Sequence, residues 1–306
     1  MAKVKIGIVG CGVMGSFHTK TASELKEEKL MGVHDPIEEK AKSTAEKYAT
    51  IPLPFLEELM KEVEALIIAS PTSTHFEIAK KALEQGLHIL IEKPLTQDST
   101  RGEELVNLAK AKNKVLAVGM IERFNPAFSK ALSIVKKEKI LGLEIKRFSP
   151  LPERITDANV IWDVMIHDLD LAVLLSKTEV DSIKATGKRV KTKALDEANA
   201  TLYFKDGMIA KISASRVKDR KERIIQITTD KAIYDVDLLN KKLYTRNFDT
   251  LIEKTEIEFR LEDQLKLEQK DFCLSIRKNR NPRCSGREAL SIIKLTEEVE
   301  KQCSYQ

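Results

Sequence analysis

A regular alternation of short apolar runs and amphipathic segments in residues 1–119 constrains the fold more than any other feature of the sequence. The apolar runs have the length of buried strands rather than of core helices, and they read VKIGIVG, LMGVHD, ALIIAS, LHILIE and KVLAVG. Helical segments lie between them, such as HFEIAKKALEQG, whose apolar residues follow a helical spacing and whose last glycine ends the helix. Because strands that are each separated by a helix form parallel βαβ units, we predict an α/β fold with a doubly wound parallel sheet.

Gly10, Gly12 and Gly15 follow the first predicted strand at the spacing G-x-G-x-x-G and open the next helix. The first glycine permits a tight turn, the second lets the backbone approach a pyrophosphate, and the third lets the helix pack on the strand. Unpaired amides and the helix dipole at this N-terminus favour anions. Asp35 lies about 20 residues further on, where a carboxylate accepts hydrogen bonds from ribose hydroxyls and repels a 2′-phosphate. We therefore predict a Rossmann domain that binds NAD in preference to NADP.

The sequence EKPL follows the fourth predicted strand. Ligands of such sheets bind beyond the carboxyl ends of the strands, at the point where the strand order reverses. We expect the first and fourth strands to be neighbours there, so that Lys93 emerges beside the glycine loop. Pro94 excludes the helical region for Lys93, which favours a functional lysine over a solvated one. The predicted cofactor contacts lie in the glycine loop and after the neighbouring strands: Gly10, Cys11, Gly12, Val13, Met14, Gly15, Asp35, Ser70, Pro71, Thr72, His75, Glu92 and Lys93.

The character of the sequence changes after Gly119. One predicted helix, NPAFSKALSIVKK, precedes longer strands in which apolar and polar residues alternate: LEIKRFS, DSIKATGKRV, ANATLYF, GMIAKISASRV, RIIQITTD and AIYDVDL. Short turns such as the one at 205–207 favour a mostly antiparallel sheet, and the helix GREALSIIKLTEEVEKQ closes the chain. We predict an NAD-binding domain at residues 1–119. Residues 120–306 are predicted to form an α+β domain with a large open sheet for substrate binding and oligomerisation.

The segment DVMIHDLD, residues 163–170, places a histidine among aspartates within an apolar run. Residues four apart on a helix share a face, so we expect Asp163 beside His167, and Asp170 on the other side of the ring. A histidine with an ordinary pKa of about 6.5 accepts protons at neutral pH. The alternative is a helix start with acidic residues near its positive end. The NAD-binding pattern of the first domain favours the catalytic interpretation.

Composition and charge exclude several classes of protein. Apolar residues make up 42% of the chain, which excludes a disordered chain, and 52 basic residues nearly balance 47 acidic ones. No basic block alternates with aromatic residues, so we expect no nucleic-acid partner. No apolar stretch is long enough for a membrane span. The four cysteines have no C-x-x-C spacing, which predicts free thiols, no metal site and a cytoplasmic location.

Four motifs occur in a characteristic order: GIVGCGVMG, ASPTSTH, IEKPL, and D-x-x-x-H at Asp163 and His167. With these motifs the chain resembles the Gfo/Idh/MocA family of NAD(P)-dependent sugar oxidoreductases over nearly its whole length. The segments VGMIERFNPA (118–127) and PERITDANVIWDVMIHDLD (152–170) are similar to those of UDP-N-acetylglucosamine 3-dehydrogenases, which oxidise the C3 hydroxyl of the sugar. The resemblance implies a cis peptide bond before Pro94 and a UDP-sugar as the small-molecule substrate.

The resemblance also implies that Lys93, Asp163 and His167 form the catalytic group. Oxidation of a secondary alcohol removes a hydride from carbon and a proton from oxygen, and His167 is the natural proton acceptor. Asp163 would fix the imidazole tautomer and stabilise the cation that forms. Lys93 would donate a hydrogen bond to the developing alkoxide. The variant in which Lys93 is the base and His167 the donor stays open.

A diphosphate in the substrate requires arginine side chains. Arg123 and Arg154 are the predicted phosphate contacts, and the alternative for both is a surface salt bridge. Asn125 is predicted either to contact a sugar hydroxyl or to cap the helix that begins at Pro126. Thr72, together with the serine after it, either lines the cofactor site or caps its helix. The predicted substrate contacts are therefore Lys93, Arg123, Asn125, Arg154, Asp163 and His167.

The sequence is also compatible with two other functions. One is a dehydrogenase of a free sugar or an inositol, which does not need the two arginines. The other is an NAD-sensing regulator without catalysis, against which the joint presence of Lys93, Asp163 and His167 argues. We also predict a homodimer or homotetramer, because the helices predicted after residue 119 are too few to cover both faces of the sheet.

Overall fold

The computed structural model describes residues 2–151, 158–176, 178–248 and 254–303. Its contacts divide the chain into two compact units. The first unit comprises Met1–Ile121 and Asp263–Ile293, and the second comprises Glu122–Glu262 and Lys294–Gln306. Residues 263–293 thus belong to the first unit by their contacts, although they lie far beyond the sequence boundary at residue 119.

The first unit contains a five-stranded parallel sheet, as predicted. Its strands are β1 (Val4–Val9), β2 (Glu28–His34), β3 (Ala65–Ile68), β4 (His88–Glu92) and β5 (Leu116–Gly119). The helices of this unit are α1 (Val13–Glu24), α2 (Glu38–Lys47), α3 (Leu56–Glu62), α4 (Thr72–Glu84), α5 (Ser99–Ala111), α8 (Gln264–Lys278) and the start of α9 (Gly286–Cys303). Fully buried strand residues such as Ile6, Ile67 and Leu90 form the core. The short apolar runs are therefore interior strands.

The strand order is β2-β1-β3-β4-β5, so the predicted adjacency of the first and fourth strands is wrong. After β2 the chain crosses to the other side of β1, and β3 pairs with β1 from Ile6 with Ala65 to Val9 with Ile68. The strand order reverses between β1 and β3. All of these strands are buried apolar runs, and each of them could occupy any interior position of the sheet. Their sequences therefore do not indicate which strands are neighbours.

Helix α8 was absent from the sequence prediction. Asp263 caps its N-terminus by accepting hydrogen bonds from the amides of Leu265 and Lys266, and Asn279 ends it in the left-handed conformation at φ 46°. Both caps are ordinary helix signals. The helix packs against α1 and β4, where it contributes buried polar side chains near the EKP motif.

The second unit contains an eight-stranded sheet in the order β13-β12-β11-β10-β6-β9-β8-β7. Its strands are β6 (Ile140–Phe148), β7 (Val180–Lys188), β8 (Glu197–Phe204), β9 (Ile209–Ser215), β10 (Glu222–Thr229), β11 (Ile233–Asp237), β12 (Lys242–Arg246) and β13 (Thr255–Glu256). Among the described strands of this second sheet, only β6 and β9 pair in parallel, which confirms the mostly antiparallel sheet. The predicted turn at 205–207 joins β8 to β9, with Gly207 at φ 86°.

One face of this sheet packs against α6 (Pro126–Val135) and α7 (Ile166–Ser176). Strand β8 shows the pattern, because Ala198, Ala200 and Leu202 are buried while Asn199 and Thr201 on the other face are partly or fully exposed. The outer face therefore carries mostly polar side chains. The continuous apolar outer face from which we predicted an oligomer is not present in the described strands.

All four cysteines are free thiols, as predicted. Among the described residues, no helix combines the length and the apolar composition that a membrane crossing requires.

Glu28 is a buried carboxyl group at the start of β2, with 2% of its surface exposed. Burial raises its pKa to about 7, although the Cys273 thiol donates a hydrogen bond to it at 3.3 Å. At a pH between the two pKa values, the folded protein keeps the proton on this acid, whereas the unfolded chain has released it. The free energy of unfolding therefore falls as the pH rises from about 4.5 to about 7.

We expect Glu28→Gln to remove this loss. Its free energy of unfolding should exceed that of the wild type by about 2–3 kcal/mol at pH 8 and by much less at pH 5. Urea unfolding at the two pH values measures the difference. An equal effect of the substitution at both pH values would show that Glu28 does not titrate in this range.

Candidate functional site

The glycine loop between β1 and α1 is packed tightly on one side and open on the other. Gly10 has φ 92°, and a Cβ atom there would lie 2.6 Å from the amide nitrogen of Ser70. A Cβ atom on Gly15 would lie 1.7 Å from the carbonyl oxygen of Gly10, so both positions require glycine. A Cβ atom on Gly12 would meet nothing within 4 Å, and no side chain caps α1 at this residue. This open helix N-terminus fits a pyrophosphate.

Asp35 lies directly beside this loop. Its carboxylate accepts hydrogen bonds from the amides of Cys11 at 2.7 Å and Ile37 at 2.9 Å. A concavity of about 340 Å³ adjoins the loop and is lined by Cys11, Ser16, Glu39, Lys40, Ser43, Thr44 and Lys47. Within the loop, Val13 is 71% exposed and Met14 is partly exposed. The loop, the carboxylate and the concavity together fit the predicted dinucleotide.

The segment after β3 approaches the glycine loop and begins α4. The Ser70 hydroxyl is 2.8 Å from that of Thr74, and Pro71 precedes the helix without a side-chain cap from Thr72 or Ser73. His75 is buried, and its ring nitrogens lie 2.9 and 3.0 Å from the carbonyl oxygens of Pro94 and Ser70. Burial lowers the pKa of His75. His75 thus joins the loop after β3 to the EKP motif.

The EKP motif follows β4, and the Lys93–Pro94 peptide bond is cis, as the resemblance implied. The Glu92 carboxylate accepts hydrogen bonds from the His18 ring at 2.9 Å and from the Lys93 amide at 3.2 Å. Gln269 of α8 donates to Nδ1 of His18 at 2.8 Å and to its carbonyl oxygen at 3.1 Å. Nδ1 is therefore an acceptor, and Nε2 carries the proton that His18 donates to Glu92.

The sequence prediction missed His18 and Gln269. His18 lies three residues after the last glycine of the loop, so its place in the helix that follows the loop could have marked it as a site residue. Gln269 is 251 residues from His18, and nothing in the local sequence marks it as a partner.

The segment DVMIHDLD does not form one regular α-helix. Ile161–Met165 form a π-helical turn, with the Asn159 side chain accepting hydrogen bonds at its start, and α7 continues from Ile166. Such turns widen the helix and are frequent at functional sites. Asp163 lies inside the turn and His167 in the first turn of α7, and both are partly exposed. The chain between Asp163 and His167 therefore runs partly through the π turn, and not along a regular α-helix as expected.

The other two aspartates of this segment form buried ion pairs. Arg147 donates from Nε to both oxygens of Asp168 at 2.9 and 3.0 Å, and from Nη1 to Glu122 at 2.9 Å. Burial would lower the pKa of Arg147, but the adjacent carboxylates raise it instead. Asp170, expected beside the His167 ring, accepts hydrogen bonds from Arg123 at 2.6 and 2.8 Å. Two of the three acids thus hold arginines of the core.

The predicted substrate contacts Arg123 and Asn125 are also buried. Arg123 makes the bidentate pair with Asp170. The Asn125 side chain accepts from the Ala127 amide, which caps α6, and donates to Glu122 and to the carbonyl oxygen of Leu238. The capping alternative therefore holds for Asn125. Arg154 lies outside the described residues.

Family models match both parts of the chain. Residues 4–120 match the model described as an oxidoreductase family with an NAD-binding Rossmann fold, named GFO_IDH_MocA. Residues 146–237 match the C-terminal domain model of the same family. The chain is also 33% identical over 297 residues to the UDP-N-acetylglucosamine 3-dehydrogenase of Acidithiobacillus ferrooxidans, covering 94% of this chain and 93% of that relative.

The chain belongs to the Gfo/Idh/MocA family. A crystal form of the Acidithiobacillus ferrooxidans enzyme matches this member of the family with a TM-score of 0.93 and 32% identity, covering 99% of this chain and 98% of the other. The NAD(+)-dependent scyllo-inositol 2-dehydrogenase of Bacillus subtilis is 29% identical and covers 70% of this chain and 68% of the relative. The resemblance noted in the sequence is confirmed, and the chain is an oxidoreductase that uses NAD.

We predict that NAD binds more tightly than NADP and that Asp35→Ser reverses the preference. The variant should bind NAD about tenfold more weakly, because a charge-assisted hydrogen bond is lost. It should bind NADP more tightly than the wild type, because Lys40 and Lys47 line the neighbouring concavity and the repelling carboxylate is gone. Calorimetry with both dinucleotides measures the two affinities.

The double variant Asp35→Ser/Lys47→Met is the matched control. It should bind NADP more weakly than Asp35→Ser does. Equal or stronger binding of NADP by the wild-type protein would contradict the prediction.

Proposed function

We propose that this protein oxidises a secondary hydroxyl group of a sugar with NAD, and that the group is C3 of UDP-N-acetylglucosamine. The observation that carries the proposal is the 33% identity to a UDP-N-acetylglucosamine 3-dehydrogenase over 94% of this chain. The site residues Lys93, Asp163 and His167 that the family resemblance implies are all present.

In this proposal His167 accepts the hydroxyl proton, Asp163 stabilises the imidazolium, and Lys93 donates a hydrogen bond to the substrate oxygen as negative charge develops. NAD, when bound, supplies the hydride acceptor. The glycine loop and the α1 N-terminus would hold its pyrophosphate, and Asp35 its ribose. Burial of the EKP loop through His75 and Glu92 limits the positions that Lys93 can adopt.

A second candidate is oxidation of a free sugar or an inositol. The observation that favours it is the pairing of Arg123 with Asp170, because an arginine committed to a buried aspartate offers fewer donors to a diphosphate. Relatives that act on inositols also match, among them the scyllo-inositol 2-dehydrogenase of Bacillus subtilis and the myo-inositol 2-dehydrogenase of Thermotoga maritima. Under this candidate Arg123 serves the core rather than the substrate.

Incubation of the protein with NAD and a substrate panel distinguishes these candidates. The panel contains UDP-N-acetylglucosamine, UDP-glucose, free N-acetylglucosamine, glucose and myo-inositol, and formation of NADH is followed by absorbance. We expect the highest kcat/KM with UDP-N-acetylglucosamine and a 3-keto product by NMR. A preference for a free sugar or an inositol would select the second candidate. Tight NAD binding without reduction by any of these compounds would favour an NAD-sensing regulator.

We further propose that the protein acts in the cytoplasm, that residues 1–119 hold NAD, and that residues 120–306 hold the substrate. A homodimer or homotetramer is proposed to form through the outer face of the eight-stranded sheet, where Tyr203 and Ile224 lie partly exposed among polar residues. Sedimentation giving a monomer at micromolar concentration would contradict this assembly.

A further inference from the structure

The π turn that carries Asp163 is held at its start by a side chain of the last helix. Glu300 of α9 accepts hydrogen bonds from the side-chain amide of Asn159 and, at 2.7 Å, from the indole nitrogen of Trp162. Asn159 lies two residues before the turn, and Trp162 is its second residue. These residues all belong to the second unit, although 141 and 138 positions separate Glu300 from its two partners.

The surrounding hydrogen bonds fix which atoms donate to Glu300. Oδ1 of Asn159 accepts from the backbone amides of Ile161 at 2.9 Å and Trp162 at 3.3 Å, so Nδ2 is the atom that faces Glu300. Nδ2 and the indole N–H can only donate. Each oxygen of the Glu300 carboxylate therefore accepts from one donor. A glutamine at this position would turn its own amide group toward one of the two donors.

Asn159 connects Glu300 to Asp163. Its side chain caps the start of the π turn, and its carbonyl oxygen accepts the hydrogen bond of the Asp163 amide at 3.0 Å. Trp162, the other partner of Glu300, directly precedes Asp163 in the chain. A change in the orientation of Asn159 or Trp162 therefore changes the backbone from which the Asp163 side chain extends.

Other contacts hold the same backbone without Glu300. Arg216 is buried, and its Nη1 donates to the carbonyl oxygen of Ala158 at 2.7 Å. The amide of Val160 donates to the carbonyl oxygen of Leu195 at 2.9 Å. Because these contacts do not depend on Glu300, we expect a Glu300 variant to fold and its effect to be confined to the π turn.

We propose that Glu300 is a positioning residue that sets the orientation of Asp163. Catalytic groups contribute fully only when they are held in the reactive geometry, and a displacement of about 1 Å can cost about 100-fold in rate. The inference rests on the proposed function for the use of Asp163 in catalysis. The hydrogen bonds that hold the π turn, however, are measurable without any substrate.

The first experiment observes the π turn by NMR in the full-length protein. Trp162 is the single tryptophan of the chain, so its indole N–H gives one resonance in the ¹⁵N-labelled protein. Glu300→Gln should move this resonance upfield, because a neutral amide oxygen is a weaker acceptor than a carboxylate. Hydrogen exchange at the Asp163 amide should accelerate by about tenfold, the equivalent of one lost hydrogen bond to a charged group.

Glu298→Gln is the matched control, because Glu298 is an exposed glutamate of α9 two residues before Glu300. It should leave the indole resonance and the Asp163 exchange rate unchanged. An unchanged indole resonance and exchange rate in Glu300→Gln, or equal changes in Glu298→Gln, would overturn the positioning role.

Trp162→Phe is a second variant that tests the same contact from its other end. It removes the indole donor, so exchange at the Asp163 amide should accelerate as it does in Glu300→Gln. In the double variant Glu300→Gln/Trp162→Phe, the amide oxygen of the glutamine has only the Asn159 donor to accept from. Exchange in the double variant should therefore be no faster than in Glu300→Gln alone. Additive acceleration would show that Glu300 and Trp162 act separately and would overturn the proposal.

Steady-state kinetics tests the consequence for catalysis. Glu300→Gln should lower kcat by about 10- to 100-fold, while KM and the NAD affinity stay near those of the wild type. The pH profile should keep its position, because Asp163 keeps its charge. A shifted profile would overturn the positioning role in favour of a direct charge effect. If exchange at Asp163 accelerates but no substrate is turned over, the proposed function fails and the positioning of the π turn by Glu300 holds.

Discussion

His167→Ala should lower turnover by roughly 10²- to 10⁴-fold, the range in which general acid–base groups contribute. NAD affinity should stay within about twofold, because the glycine loop and Asp35, which fit the dinucleotide, belong to the first unit and His167 to the second. Single-turnover and steady-state kinetics together with NAD calorimetry measure the two effects. Full activity of this variant would return DVMIHDLD to the interpretation of a helix start.

Two further substitutions separate the roles within the proposed catalytic group of Lys93, Asp163 and His167. Asp163→Asn should reduce turnover less than His167→Ala and move the rate profile to lower pH, because under the proposal the imidazolium loses the carboxylate that stabilises it. Lys93→Ala should reduce turnover while the ionisation in the profile remains. If Lys93→Ala abolishes that ionisation and His167→Ala retains it, Lys93 is the base. Gln97→Ala, an exposed position in the same loop, serves as the control for Lys93→Ala.

Arg147→Met should lower the free energy of unfolding by about 3–5 kcal/mol. The substitution leaves the fully buried Asp168 without the guanidinium that donates to both of its oxygens. A buried charge without its partner carries a penalty of this size. Glu122 is affected less, because Arg223 and Asn125 also donate to it. Urea unfolding at pH 7 measures the loss.

The double variant Arg147→Met/Asp168→Leu should recover most of the lost stability, because it removes both charges and fills their volume with apolar atoms. Lys205→Met is the matched control. It breaks the Lys205–Glu179 pair, whose side chains are 59% and 80% exposed, and should leave the free energy of unfolding nearly unchanged. A loss as small as this control in Arg147→Met would show that Asp168 is neutral in the folded protein.

The buried ion pairs account for two of the three aspartates in DVMIHDLD. The sequence places Asp163, Asp168 and Asp170 within four residues of His167 and does not show which of them pairs with another group. Their partners are set by β6 and by the segment before α6, which supply Arg147 and Arg123. Neither arginine lies within 20 residues of its aspartate, at separations of 21 and 47 residues. The proposed catalytic role of this segment therefore rests on Asp163 and His167.

The parallel sheet, the glycine loop and the EKP motif were determined by the sequence itself. Gly10 is favoured by its positive φ and Gly15 is required by its contact with Gly10, and the alternation of strand and helix fixes parallel pairing. The turn at Gly207 and the antiparallel character of the second sheet follow from local patterns in the same way. Such features depend on backbone geometry and periodicity, which each short segment carries.

The strand order, the π turn and the hydrogen bond between Gln269 and His18 were decided by the tertiary structure. β3 rather than β4 lies beside β1, and α8 brings Gln269 to His18 across 251 residues. The free-energy cost of closing a loop grows only slowly with its length, so sequence distance does not indicate which segments meet. The partner of a buried polar group is chosen by the faces that pack together, and no local pattern encodes that choice.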